Sequence, residues 1–149
     1  MRVLLDTNVL MRLTNEDDPQ RPTAKKAVEI LESAGGELFI VPQNVYEYWT
    51  AATRVAGQNG FGMTPEEAIE RIESFAEVFT LLDDDGLVRA FLRLMKRHDV
   101  RGPNSYDGRL VAAMELLSLS HLLTFNVGDF RRYSEIEVLD PNLVVAGGE

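Results

Sequence analysis

The sequence predicts an α/β fold built on a mostly parallel sheet. Short β-rich apolar runs alternate with longer helix-period segments, 45% of the 149 residues are hydrophobic, and no linker, repeat or low-complexity tract divides the chain. Strand alternating with helix implies a sheet covered on both faces, whose strands read as continuous apolar runs. The length suits one domain with one sizeable core.

The expected strands are Val3 to Leu5, Leu38 to Val41, Phe79 to Leu82, His121 to Thr124 and Glu137 to Leu139. After the second strand, Pro42 opens a segment in which Val45, Tyr48, Trp49, Ala52 and Ala56 recur at helical spacing. Thr64-Pro65-Glu66-Glu67 combines an N-cap, a proline at the first helical position and a capping-box acid. Ala68, Ile69, Ile72, Phe75, Ala76 and Phe79 then mark one apolar face. Asn104 and Ser105 are candidate caps for a helix that buries Leu110, Ala113, Met114 and Leu117. Gly57 to Gly62 reads as a flexible loop, and residues 142–149 as a C-terminal tail beyond a single domain of residues 1–141.

Composition removes several function classes. With 24 acidic residues against 15 Lys and Arg, the net charge of −9 opposes nonspecific polyanion binding, which needs basic residues in excess. Without cysteine there is no disulfide, no thiolate zinc site and no thiol nucleophile, so a metal must be held by oxygens or by His98 and His121, which sit in unrelated contexts. No apolar run approaches the ~18 residues of a membrane span, and the N-terminus meets Asp6 too soon for a signal peptide. A cytoplasmic protein without a membrane partner is the expectation.

Ligands of open α/β sheets bind outside the carboxyl ends of the strands, and there this chain places acids. Asp6 ends the first strand, Glu47 lies on the helix after the second, Asp107 opens the helix before the fourth, and Asp129 follows the fourth. Glu47 falls opposite its helix's apolar stripe, near Asn44, Ala51 and Arg54, and so can face a cleft. Singly, each acid has a plainer use: Asp6 as a helix cap, Asp107 as a charge at a helix's positive end, Glu47 as a solvated surface residue. Together they carry a larger consequence. At ~5 Å and an effective dielectric of ~20, each like-charged pair costs about 3 kcal/mol, a penalty that a divalent cation removes. Hard oxygen donors favour Mg²⁺ or Mn²⁺, ions that commonly act on phosphates, which points to metal-assisted phosphodiester hydrolysis.

Four blocks around these acids resemble PIN-domain ribonucleases, particularly the VapC-type toxins of toxin-antitoxin pairs. They are Leu5-Asp6-Thr7-Asn8-Val9-Leu10, Val41-Pro42-Gln43-Asn44-Val45-Tyr46-Glu47-Tyr48-Trp49, Tyr106-Asp107-Gly108-Arg109-Leu110-Val111-Ala112-Ala113 and Leu123-Thr124-Phe125-Asn126-Val127-Gly128-Asp129-Phe130. The likeness runs from Leu4 to Pro141. It implies a PIN-like three-layer α/β/α sandwich with a central five-stranded sheet and a Mg²⁺- or Mn²⁺-dependent endoribonuclease site. Asp6, Glu47, Asp107 and Asp129 match the acidic positions. Thr7, Asn8, Thr124 and Asn126 match polar positions that in relatives orient carboxylates or metal-bound water. Two positions depart from the pattern: Tyr106 stands where His is frequent, and Gly108 where Ala is usual, at a cost of up to ~1 kcal/mol in a first helical turn. The resemblance also implies an RNA substrate, a small antitoxin that occludes the cleft, and a homodimer whose surface lies around Val45 to Phe79.

An acidic chain needs local positive charge to hold RNA. Arg89 to Arg109 carries Arg89, Arg93, Lys96, Arg97, Arg101 and Arg109 against Asp99 and Asp107, and charge reversal at Arg93 and Arg97 tests whether this stretch contacts RNA. Arg131 and Arg132, close after Asp129, are candidates for phosphate contact. His98 and His121 read as surface or structural residues, Asp83-Asp84-Asp85 as a cap for the next helix, and Tyr48 and Trp49 as packing residues rather than base-stacking ones. Two other readings compete. A PIN scaffold used only for binding leaves the acids without turnover, and a haloacid dehalogenase-type phosphatase would need a second Asp where Asn8 stands.

Overall fold

Strand β1 (Arg2–Leu5) is fully buried at Val3, Leu4 and Leu5. Such a strand needs an apolar layer on each face, and the computed structural model, which describes residues 1–57 and 60–147, supplies both. The elements run β1, α1 (Thr7–Thr14), α2 (Arg21–Ser33), β2 (Glu37–Ile40), α3 (Pro42–Thr53), α4 (Pro65–Val78), β3 (Thr80–Leu81), α5 (Leu87–Arg97), α6 (Ser105–Leu117), β4 (His121–Leu123), β5 (Glu137–Leu139) and α7 (Pro141–Gly147). All five strands are parallel, in the order β3-β2-β1-β4-β5.

The period of two along each strand sorts the core into two halves. Val3, Leu5, Leu38, Ile40 and Leu123 face Val9, Leu10, Ala24, Val28, Tyr48 and Phe75 of α1 to α4. Leu4, Phe39 and Leu122 face Ala90, Leu94, Leu110, Ala113 and Met114 of α5 and α6. This is the three-layer α/β/α sandwich expected. The chain winds outward from β1 through β2 to β3, then crosses back to lay β4 on the other side of β1. That reversal makes a topological switch point beyond the carboxyl ends of β1 and β4, where a crevice opens between diverging connections.

Helix α4 starts as expected: the Thr64 hydroxyl accepts from Glu67 N–H, and the Glu67 carboxylate accepts from Thr64 N–H. Four details differ from the sequence expectation. Ile69 and Ala76 of α4 are exposed, whereas Ala68, Phe75 and Phe79 are buried in the core and Ile72 packs partly against it. Helix α3 stops at Thr53, where Arg54 turns extended, so Ala56 lies beyond it. Asp83 to Asp85 do not cap α5 with a side chain; left-handed Gly86 holds the cap position. Most of the expected tail is helix α7, whose Val144 and Val145 pack on the α1–α4 core. Gln58 and Asn59 of the expected loop, and Gly148 and Glu149 of the tail, lie outside the described residues. No described helix is long and apolar enough to cross a membrane.

Candidate metal-dependent active site

Asp6 leaves β1 at the switch point, and its backbone N–H donates to Leu123 O at the end of β4 (2.9 Å). It caps α1: Oδ1 accepts from Thr7 N–H at 2.8 Å. Its other oxygen accepts from the Thr124 hydroxyl at 2.7 Å and the Asn8 amide at 3.3 Å. The plainer use of Asp6 as a cap and its place in the acidic cluster therefore coexist. Glu47 is held in the same way, accepting from the Thr7 hydroxyl at 2.8 Å and the Gln43 amide at 3.3 Å.

Beneath these acids lies a fully buried amide. Asn44 donates to Leu5 O (2.9 Å) and Thr7 Oγ1 (3.1 Å) and accepts from Val41 N–H (2.8 Å), tying β1, α1 and the start of α3 together. Along the face of α3 that carries Glu47, Asn44 and Ala51 are buried while Glu47 itself stays half-buried. Gln43 extends the frame to α6, donating to Tyr106 O at 2.8 Å.

Asp107 and Asp129 enter from the other side. Asp107 lies in the first turn of α6, and Asp129 in a short 3-10 turn, Val127–Phe130, after β4. Asn104, Asp107, Gly128, Asp129, Arg132 and Tyr133 line a cavity of about 210 Å³ there. The electrostatics join the two sides. Burial pushes the Asp6 carboxyl up to about 6, against the pull of its Thr124 and Thr7 hydrogen bonds, and the negative charges of Glu47 and Asp107 push it further. Burial also raises Asp107, with Asp129 and Glu47 adding to the rise. All four acids therefore share one electrostatic neighbourhood. Among the described residues, however, no three of them form a closed ligand set. Their donor chemistry, carboxylate oxygens with no thiolate among them, fits a hard divalent cation.

The remaining candidates divide. Thr7, Asn8 and Thr124 touch the carboxylates directly, whereas Asn126 contributes its backbone N–H to Thr124 Oγ1 (2.9 Å) while its side chain is exposed. Arg132 lines the acidic cavity; Arg93 and Arg131 are exposed. Arg97, also exposed, forms ion pairs with Glu115 and Glu135. Glu135 also binds His98, and His121 pairs with Glu137 at 2.8 Å, so both histidines are engaged outside the acidic cluster. Gln43, Asn44 and Tyr133 were not read as site residues. A signal for Asn44 exists: a polar residue three positions after Val41, at the start of a proline-opened helix, is a capping pattern. Nothing in the local sequence signals Tyr133.

A family model described as PIN domain matches residues 3–136. No curated protein matches the chain by sequence. Among solved structures, VapBC2 from Rickettsia felis bound to a promoter DNA fragment aligns over 93% of this chain and 98% of its own, with 14% identity and a TM-score of 0.69. VapBC-1 from nontypeable Haemophilus influenzae aligns over 95% and 99%, at 21% identity and 0.64. Mycobacterium tuberculosis VapC20, a sarcin-ricin loop cleaving toxin, aligns over 93% and 99%, at 21% identity and 0.64.

Proposed function

This chain belongs to the PIN domain family, and from that membership we propose that it is a Mg²⁺- or Mn²⁺-dependent endoribonuclease, the toxin of a toxin-antitoxin pair. The observation that carries the reading is the convergence at the switch point. Asp6 and Asp107, 101 positions apart, both hold their protons above the ordinary carboxylate range, and each feels Glu47. Negative charge gathered against its own repulsion is a feature of cation sites.

Asp6, Glu47, Asp107 and Asp129 would hold the cation, which when bound supplies charge to polarise the scissile phosphate and lower the pKa of attacking water. The chain's own groups do the rest. Thr124, Asn8 and the Thr7 N–H fix both oxygens of Asp6, and Thr7 and Gln43 fix Glu47. Arg132, with Arg93 and Arg131 further out, offsets the acidic surface where the RNA backbone runs. Hydrolysis by water, rather than attack by a ribose 2′-hydroxyl, leaves 5′-phosphate and 3′-hydroxyl ends. The VapBC neighbours support a small antitoxin partner that covers the cleft, and the sarcin-ricin loop cleaving neighbour supports an RNA substrate. We further propose a homodimer through the surface around α3 and α4, and a cytoplasmic location.

The test is cleavage of RNA by the purified protein with and without Mn²⁺, followed by chemical mapping of the new ends. Metal-dependent 5′-phosphate ends are expected. Cyclic 2′,3′-phosphate ends overturn the hydrolytic route, and RNA bound without turnover favours a silent PIN scaffold.

A further inference from the structure

The glycine at position 108 and the tyrosine at position 133 explain each other. A Cβ built on Gly108 would lie 2.9 Å from the Tyr133 hydroxyl oxygen and would collide with the terminal methyl of Met95. Gly108 is buried in the first turn of α6, directly after Asp107. The absent side chain therefore leaves a slot beside Asp107, which the Met95 methyl and the Tyr133 hydroxyl share.

Tyr133 is 3% exposed and held by its ring rather than its hydroxyl. The ring meets His98 edge to face, with centroids 5.0 Å apart, and His98 is anchored in turn by Glu135 at 2.7 Å. Tyr133 also lines the 210 Å³ cavity, together with Asp107, Asp129, Arg132 and Asn104. A water in the liquid takes about 30 Å³, so this cavity has room for a phosphate group. Its donors, a phenol O–H, a guanidinium and an amide, suit an acceptor-rich anion. The neighbouring acids would repel that anion in proportion to their net charge, which makes a neutral, rigid donor more useful there than a solvated one.

We propose that the Tyr133 hydroxyl, seated in the slot left by Gly108, donates a hydrogen bond to a phosphate oxygen of the RNA strand beside the acidic cluster. The inference rests on the ribonuclease reading and adds a substrate-contacting residue to it. Tyr133 becomes a binding group, and Gly108 and Met95 its positioning residues. The slot also accounts for glycine in a helical turn that alanine would stabilise.

The experiment is a double-mutant cycle with wild type, Tyr133→Phe, Gly108→Ala and the double variant. Steady-state cleavage in Mn²⁺ is read together with the affinity for a fluorescein-labelled single-stranded RNA in Ca²⁺. Tyr133→Phe is expected to raise KM and weaken RNA affinity by about tenfold, with kcat within about twofold and thermal midpoint unchanged. Gly108→Ala, which presses on the hydroxyl and on the Met95 methyl, is expected to cost more RNA affinity in wild type than in Tyr133→Phe, where only the Met95 contact is disturbed. Unchanged RNA affinity in Tyr133→Phe, or an equal Gly108→Ala loss in both backgrounds, overturns the proposal while leaving an active wild type as a ribonuclease. A wild type that neither cleaves nor binds RNA overturns the ribonuclease reading and this inference together.

Discussion

The two sides of the acidic cleft are built differently. Asp6 and Glu47 sit in a frame of donors from Thr7, Asn8, Gln43 and Thr124, with Asn44 beneath them. Asp107 and Asp129 stand at the start of a helix and in a 3-10 turn, on the rim of a cavity, and no side-chain hydrogen bond to either is found among the described residues. Preorganised groups lose little freedom on binding, while free ones keep the reach to close around a ligand. Under the proposed function the contrast gives the two sides different roles: β1, α1 and α3 would make a fixed wall, and α6 with the turn after β4 a wall that adapts to cation and substrate.

This division predicts separable mutant effects. On the adaptable wall, Asp107→Asn is expected to lower kcat by at least about a hundredfold with the thermal midpoint unchanged or raised, since a repelled charge is removed without breaking a bond. A large fall in thermal midpoint would show that Asp107 belongs to the frame instead. On the fixed wall the order reverses. Asn44→Ala strands Val41 N–H and Leu5 O, and urea unfolding is expected to show a loss of about 2 to 4 kcal/mol. A loss below about 1 kcal/mol would mean that the frame does not depend on this amide.

The raised carboxyl of Asp6 gives the fixed wall a pH signature. Its value moves from 3.8 to about 6 on folding, so between those values the folded protein holds a proton that the unfolded chain has released. Stability of the metal-free protein should therefore fall as pH rises through that window, by about 3 kcal/mol at most at 1.36 kcal/mol per unit, and level off above it. Asp6→Asn should flatten this slope, as read by unfolding in EDTA across pH 4 to 7; an unaltered slope assigns it to another group. Thr124→Val removes the donor that holds the Asp6 carboxyl down, and should weaken the protein by about 1 to 2 kcal/mol more at pH 7 than at pH 4, where only the Asn126 N–H and the Asn8 amide lose their acceptor. The smallest effect is expected outside both walls: Arg93→Glu should weaken RNA binding a few-fold at low salt, and the difference should vanish at high salt. Persistence of the difference at high salt would place Arg93 in direct contact with the bases.

The fixed wall was far more legible in the sequence than the adaptable one. Asp6 follows a short apolar run, and residues just past parallel strands meet at the sheet's carboxyl edge, so the strand end alone located it, whereas Thr124 entered through the family resemblance. All five strands and the capped start of α4 were readable for the same reason, that local pattern and tertiary burial agree. The ion pairs of Arg97 were not legible because its acidic partners, Glu115 and Glu135, come from distant segments. Gly108 reads as a weakness in α6 on local propensity alone, because the groups beside it, Met95 and Tyr133, come from 13 positions before and 25 positions after it. Spacing within one helix reports on that helix's faces; it carries no information about which distant side chain will occupy a gap.

Titration of the purified protein with Mn²⁺, with free ion followed by electron paramagnetic resonance, bears most directly on the proposal that the two walls share one cation site. Saturable binding is expected in wild type and its loss in both Asp6→Asn and Asp107→Asn, one variant from each wall. Wild-type affinity retained in either variant would contradict a site spanning the cleft.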